Sequence, residues 1–102
     1  MLAAARALQA GASVPATARE ASVSPRELRR RFHTHLGYGP KAFARVVRFR
    51  RFVSQLRTTT TAQLSLARLA AELGYADQAH LSLECRLLSG STPSDLAVRC
   101  VA

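Results

Sequence analysis

Apolar residues recur every three or four positions along most of this chain, and the stretches between them are closed by glycine or reopened by proline. That period places one stripe on a helix of 3.6 residues per turn, so the pattern predicts helices throughout. A first helix is expected over residues 1–10, ended by Gly11. Ser13 then caps a short helix from Val14 to about Ala21, and "SVS" makes a turn. Ser24–Pro25 joins a capping hydroxyl to a proline at the first helical position, which starts a helix that runs to about Leu36 and stops at Gly37. Pro40 opens a longer helix to about Leu56, with Ala42, Val46, Phe49, Phe52, Val53 and Leu56 on its apolar face. "TTTT" (Thr58–Thr61) forms a polar connector. Leu66, Leu69, Ala70 and Leu73 stripe the next helix, closed by Gly74. "DQAHLSLECRLLSG" (Asp77–Gly90) makes another, capped by Asp77, and Thr92–Pro93 begins a last helix to about Cys100.

Two of these stretches are copies of one plan. Leu28-x3-Phe32-x4-Gly37-x2-Pro40 matches Leu81-x3-Cys85-x4-Gly90-x2-Pro93 at an offset of 53. A short helix ("VPATAREA", then "LARLAAEL") and a tight turn precede each copy. The expected fold is therefore all-α: two helix-turn-helix units joined by a long linking helix. Its parts are residues 1–37 for the first unit with its leading helix, 40–57 for the linker and 64–102 for the second unit with its closing helix.

In such a unit the first helix braces the second, and the second can lie in a DNA major groove. A reading helix needs a polar face opposite its core stripe. At 100° per residue, Leu28, Phe32 and Leu36 share one side of the first copy. Arg26, Arg30 and His33 fall opposite, with Arg29 on the flank. Arginine suits base reading because its planar fork can engage guanine O6 and N7 together. In the second copy Leu81, Cys85 and Leu88 take the core side, and Ala79, Leu83 and Arg86 face out, flanked by Ser82 and Leu87. Two leucines thus stand where a groove-reading face is ordinarily polar.

Charge strengthens the first copy's assignment. The net charge of +9 on 102 residues points to a polyanionic partner. Residues 1–57 hold twelve Arg/Lys against Glu20 and Glu27, a balance of +10, whereas residues 58–102 balance at −1. Any polyanion should therefore be gripped mainly by the first half. No apolar run reaches the ~18 residues of a membrane span, and the opening "MLAAARALQAG" lacks the form of a secretory leader. Cys85 and Cys100, with no CxxC pair, read as buried or free thiols.

"VSPRELRRRFHTHLGYGPKAFARVVRFRR" and "LAAELGYADQAHLS…GSTPSDL" resemble the DNA-binding domain of the AraC/XylS family of bacterial transcription regulators, over roughly Val14 to Leu96. The resemblance implies a seven-helix domain with two reading helices in successive major grooves on one face of the duplex. A linker of 17 residues spans about 25 Å at 1.5 Å per residue, which with the helix widths added suits the ~34 Å between grooves. The resemblance also implies that Arg26, Arg29 and Arg30 touch bases from the first helix, and Gln78, Ala79, His80 and Ser82 from the second. It implies double-stranded DNA as partner, contact with RNA polymerase for activation, and a cytoplasmic place at the nucleoid. The separate ligand-sensing domain that family members often carry has no room in this chain. Where the nearest family pattern reads "DQAHLSREFRRLSG", this sequence has Leu83 and Leu87 for two arginines and Cys85 for a core phenylalanine.

Phosphate contacts are expected from Ser24, Lys41, Arg45, Arg48 and Arg86. Arg45, Arg48 and Arg51 recur every three residues on the linking helix, as phosphate clamps or as solvated charge. His80 either meets base or phosphate, or bonds neighbouring backbone. His33 and His35 point apart on their helix and lack acidic or cysteine partners, so neither metal nor any other cofactor is expected. No nucleophile–base pair, paired carboxylates or phosphate loop suggests an enzyme. Two competing functions stand beside specific DNA binding: a docking module that meets a partner through Leu83 and Leu87, and non-specific binding of polyanion or anionic membrane by the basic half.

Overall fold

The computed structural model describes residues 2–100, which form seven α-helices and one 3-10 turn. They are α1 (Leu2–Gln9), α2 (Val14–Glu20), α3 (Pro25–Leu36), α4 (Pro40–Thr58), α5 (Leu66–Glu72), α6 (Gln78–Ser89) and α7 (Pro93–Cys100), with the 3-10 turn at Thr61–Gln63 before α5. The fold is all-α and holds two helix-turn-helix units, α2–α3 and α5–α6. The expected start of the first helix at Met1 lies outside the described residues. The end of the threonine run, read as plain connector, forms part of the 3-10 turn.

The helices begin where side chains accept orphan backbone donors. Ser13, Ser24, Ser65 and Asp77 cap α2, α3, α5 and α6 by accepting the N–H groups of Ala16, Glu27, Arg68 and His80. Gly37 and Gly90 end α3 and α6 at φ 79° and 76°, the left-handed conformation that closes a helix without a Cβ clash.

Two compact units divide between Val47 and Arg48, within α4. In the first, Ala4, Leu8, Ala18, Leu28 and Phe32 make the core, with Val14, Val23 and Phe43 packed against it. The Phe32 and Phe43 rings meet tilted at 5.6 Å between centroids. In the second, Phe52, Leu56, Leu69, Ala70, Leu73, Tyr75, Leu81, Cys85, Leu96 and Ala97 form the core, and Phe49, Leu64, Leu66 and Cys100 border it. Each core packs the second helix of its unit on the first, which buries Leu28 and Phe32 of α3 and Leu81 and Cys85 of α6 and leaves the opposite face of each helix to solvent.

Three residues assigned to apolar faces point outward instead. Leu36 ends α3 and Leu88 lies in the last turn of α6, where each helix has run past its brace; they are 39% and 37% exposed. Val46 belongs to neither core, since Phe43 serves the first and Phe49 the second, and it is exposed as well.

In both units the first helix turns into the second with the same hydrogen bonds. Val23 N–H donates to Ala18 O at 3.0 Å and Ser22 N–H to Arg19 O at 3.0 Å. In the second unit Tyr75 N–H donates to Ala70 O at 2.9 Å and Gly74 N–H to Ala71 O at 3.3 Å. Ser22 and Gly74 hold the left-handed position of the turn, at φ 56° and 88°. These residues correspond at an offset of 52, and the caps Ser24 and Asp77 at 53. Ala76 is the one extra residue, inserted just before α6.

Candidate nucleic-acid interface

The outward face of α3 is a bed of guanidinium groups. Leu28 and Phe32 are buried, while Arg26, Arg29, Arg30 and Arg31 are all exposed. The four lie within six consecutive residues, so their repulsion must be relieved locally. Glu27 does this. Arg30 donates to it through two parallel bonds, Nε to Oε2 at 2.9 Å and Nη2 to Oε1 at 2.6 Å, and Arg31 Nε donates to Oε1 at 3.1 Å. The hydrogen bonds from Arg30 and then Arg31 pull the Glu27 carboxyl down to about 2. The same bonds raise Arg30 above its ordinary value. The Arg30 side chain nevertheless stays 67% exposed, with part of its donor set turned to solvent.

Sequence reasoning named Arg30 but gave no role to Glu27 or Arg31. The available signal was spacing: a carboxylate three and four residues before two arginines is the arrangement that pairs along a helix.

On α6 the corresponding face is mixed. Gln78, Ala79 and Arg86 are exposed, Ser82 is half-buried, and Leu83 and Leu87 are 56% and 62% exposed. At the offset of 53, Ala79 stands for Arg26, Ser82 for Arg29, Leu83 for Arg30 and Arg86 for His33. The helix-pairing residues also change in kind. Glu27 and Arg31 of α3 correspond to His80 and Glu84 of α6, and His80 Nε2 lies 3.4 Å from Glu84 Oε1.

His80 is held from three sides. Its Nδ1 accepts the Ala76 N–H at 3.0 Å, its Nε2 faces Glu84, and its ring meets Tyr75 edge-on at 5.2 Å. Of the two readings open for this residue, the bond to neighbouring backbone is present. Glu84 and Tyr75, neither singled out by the sequence pattern, are both buried below it.

The candidate phosphate contacts are dispersed. Ser24 uses its hydroxyl oxygen as the α3 cap, and its exposed position leaves the N-terminus of that helix open to an anion. Lys41 and Arg86 are exposed and Arg45 is half-buried. Arg48 is half-buried too, with its guanidinium 5.2 Å over the Tyr75 ring, and its Nε is a buried donor with no hydrogen-bond acceptor. Cys85 and Cys100 are both free thiols. No group of three or more His, Cys, Asp or Glu side chains able to hold a metal gathers among the described residues.

A family model described as a helix-turn-helix domain matches residues 17–99. The fold is similar to that of the C-terminal domain of AraT, a response regulator from Geobacillus stearothermophilus, with a TM-score of 0.85 at 20% identity over 97% of this chain and 84% of that one. It is similar to a transcriptional regulator from Chromobacterium violaceum described among AraC-type DNA-binding domain-containing proteins, with a TM-score of 0.82 at 24% identity over 96% and 88% of the two chains. A probable AraC family transcriptional regulator from Rhodopseudomonas palustris gives a TM-score of 0.80 at 21% identity, over 99% and 96%. No curated protein matches the chain.

Proposed function

This chain belongs to the AraC-type helix-turn-helix family of DNA-binding transcription regulators, and on that premise we propose that α3 and α6 are its reading helices, each seated in a major groove of double-stranded DNA. The observation that carries the reading is the exposed face of α3, where Arg26, Arg29 and Arg30 project opposite a buried Leu28/Phe32 stripe. These three read bases in this assignment. Ser24, Lys41, Arg45, Arg48 and Arg86 position the domain by meeting phosphate, a contact that fixes register but carries no sequence information.

The second reader is the weaker. Gln78, Ala79 and Ser82 offer one amide, one methyl and one hydroxyl to base edges, and His80 acts chiefly by holding the turn that aims them. Leu83 and Leu87 contribute no charge at positions where α3 has Arg30 and Thr34. Docking of a partner through these leucines in place of DNA binding is not favoured once the family is known. Contact with RNA polymerase and work at the cytoplasmic nucleoid are part of the same proposal, as is the absence of any enzymatic role. No helix among the described residues is long and apolar enough to cross a membrane.

Selection of bound duplexes from a random pool tests the assignment. Two half-motifs about one helical turn apart support two readers. A single motif restricts base reading to α3, and a pool with no enriched sequence overturns the proposal.

A further inference from the structure

The Arg30 guanidinium has two edges that can each offer a pair of parallel N–H groups. The side edge, Nε with Nη2, is occupied by Glu27 through bonds of 2.9 and 2.6 Å. The end edge, Nη1 with Nη2, keeps its outward N–H pair on a side chain that is 67% exposed. A guanine read in the major groove presents O6 and N7 to such a pair. Glu27 is itself anchored, because its backbone N–H is fixed by the Ser24 cap at 3.0 Å and its Oε1 receives a further bond from Arg31 at 3.1 Å.

From this geometry we infer that Glu27 is a positioning residue for DNA readout, clamping the side edge of Arg30 so that the end edge meets guanine in one fixed orientation. The inference rests on Arg30 being a base reader, as proposed above. A long arginine side chain is otherwise free to reach phosphate as readily as base, and immobilising it on binding is costly. Bound to Glu27, it is already ordered and its charge is partly met, so phosphate attracts it less. The carboxylate also lies on the face that approaches the duplex and repels it whatever the sequence. Glu27 should therefore weaken general binding and sharpen specific binding, two effects of opposite sign. A carboxylate that merely competes with DNA for Arg30 produces only the first.

The second reading helix has no copy of this device. His80 stands for Glu27 and Leu83 for Arg30. The sharpening should consequently be confined to one half-motif.

The experiment is equilibrium binding of the whole chain, at one stated salt concentration, to a selected duplex, to its scrambled counterpart and to duplexes with each guanine replaced in turn. It compares the parent with Glu27→Gln, Arg30→Ala and the double variant. Glu27→Gln is expected to bind scrambled duplex several-fold more tightly. Its ratio of selected to scrambled affinity should fall about five-fold or more, the low end of what one good arginine–guanine pair discriminates. The loss should map to a single guanine, and in the Arg30→Ala background Glu27→Gln should leave the ratio unchanged. A helix-stabilising role would move the melting temperature and leave the ratio alone. If Arg30→Ala lowers the ratio but Glu27→Gln does not, Glu27 is only a competitor and the inference fails while the base-reading assignment survives. If Arg30→Ala itself leaves the ratio intact, both fall.

Discussion

His80 closes the turn that leads into its own helix: its Nδ1 accepts the N–H of Ala76, four residues earlier, at 3.0 Å. Ala76 is the residue that the second turn has in excess of the first, and an inserted residue adds a backbone donor that needs a partner. Because Nδ1 accepts, the ring proton sits on Nε2, toward Glu84. His80→Ala should lower unfolding free energy by about 0.5–1.5 kcal/mol, the usual net value of one hydrogen bond. A thermal melt should show this as a fall of several degrees. The selected duplex should weaken more than the scrambled one, since a misaimed α6 loses the base edges met by Gln78, Ala79 and Ser82, and the melt should fall with it. An unchanged melt with loss of specificity would instead make His80 a direct reader.

Ser22 holds the left-handed turn position of the first unit at φ 56°, where the second unit has Gly74 at φ 88°. A side chain in that conformation costs about 1–2 kcal/mol. Glycine also gives back some of this through the greater freedom of the unfolded chain. Ser22→Gly is expected to stabilise the domain by up to about 1 kcal/mol, and Ser22→Val to destabilise it by more. Chemical denaturation reads both, and a destabilised glycine variant would count against strain at this position.

The helix frame was legible because its punctuation is local chemistry. Ser24–Pro25, Gly37, Gly90 and Pro93 act within a few residues of themselves, and the structure begins or ends a helix beside each. Burial at helix ends was less legible, because a wheel assigns Leu36 and Leu88 a direction without saying where the brace stops. Val46 failed for a related reason, since one periodic stripe along α4 serves two separate cores. At the interface, the arginine face of α3 followed from periodicity. The Glu27 fork did not, as spacing permits the pairing while rotamers and the cap decide it. The role of His80 depended on the extra residue Ala76, visible only as a change of offset from 52 to 53.

Alkaline pH should loosen the second unit first. Burial, and then the neighbouring Glu84 charge, push the Cys85 thiol up to about 11. Burial and the Cys85 charge, partly opposed by Arg48, push Tyr75 up to about 12. Both groups are acids whose neutral forms are favoured by folding. Above about pH 9 the unfolded chain releases these protons before the folded one does, so stability falls as pH rises. The loss by pH 11 should be on the order of 2 kcal/mol after allowance for partial solvent access. Denaturant midpoints measured from pH 7 to pH 11 should decline from about pH 9 onward. Cys85→Ala should remove part of the slope, although its own midpoint at pH 7 will be lower for loss of buried volume.

Leu83 and Leu87 are 56% and 62% exposed on α6, and Leu83 stands where α3 carries Arg30. Replacing either by arginine adds a cation at little structural cost. If the face lies against DNA, each substitution should steepen the dependence of log affinity on log salt by about 0.9, and the pair by roughly 2, provided each side chain meets one phosphate. The gain should be nearly indifferent to sequence. A new arginine at 83 would find His80 three residues before it, where Arg30 finds Glu27, so no carboxylate would hold its side edge. Adding His80→Glu would not simply transplant the α3 device, because the Ala76 N–H would lose its acceptor and the turn its closure. Leu83→Arg should therefore tighten scrambled and selected duplexes alike, raising affinity without raising their ratio. Salt titrations with identical slopes for the parent and the Leu83→Arg/Leu87→Arg variant would place this face of α6 away from the duplex and leave base reading to α3.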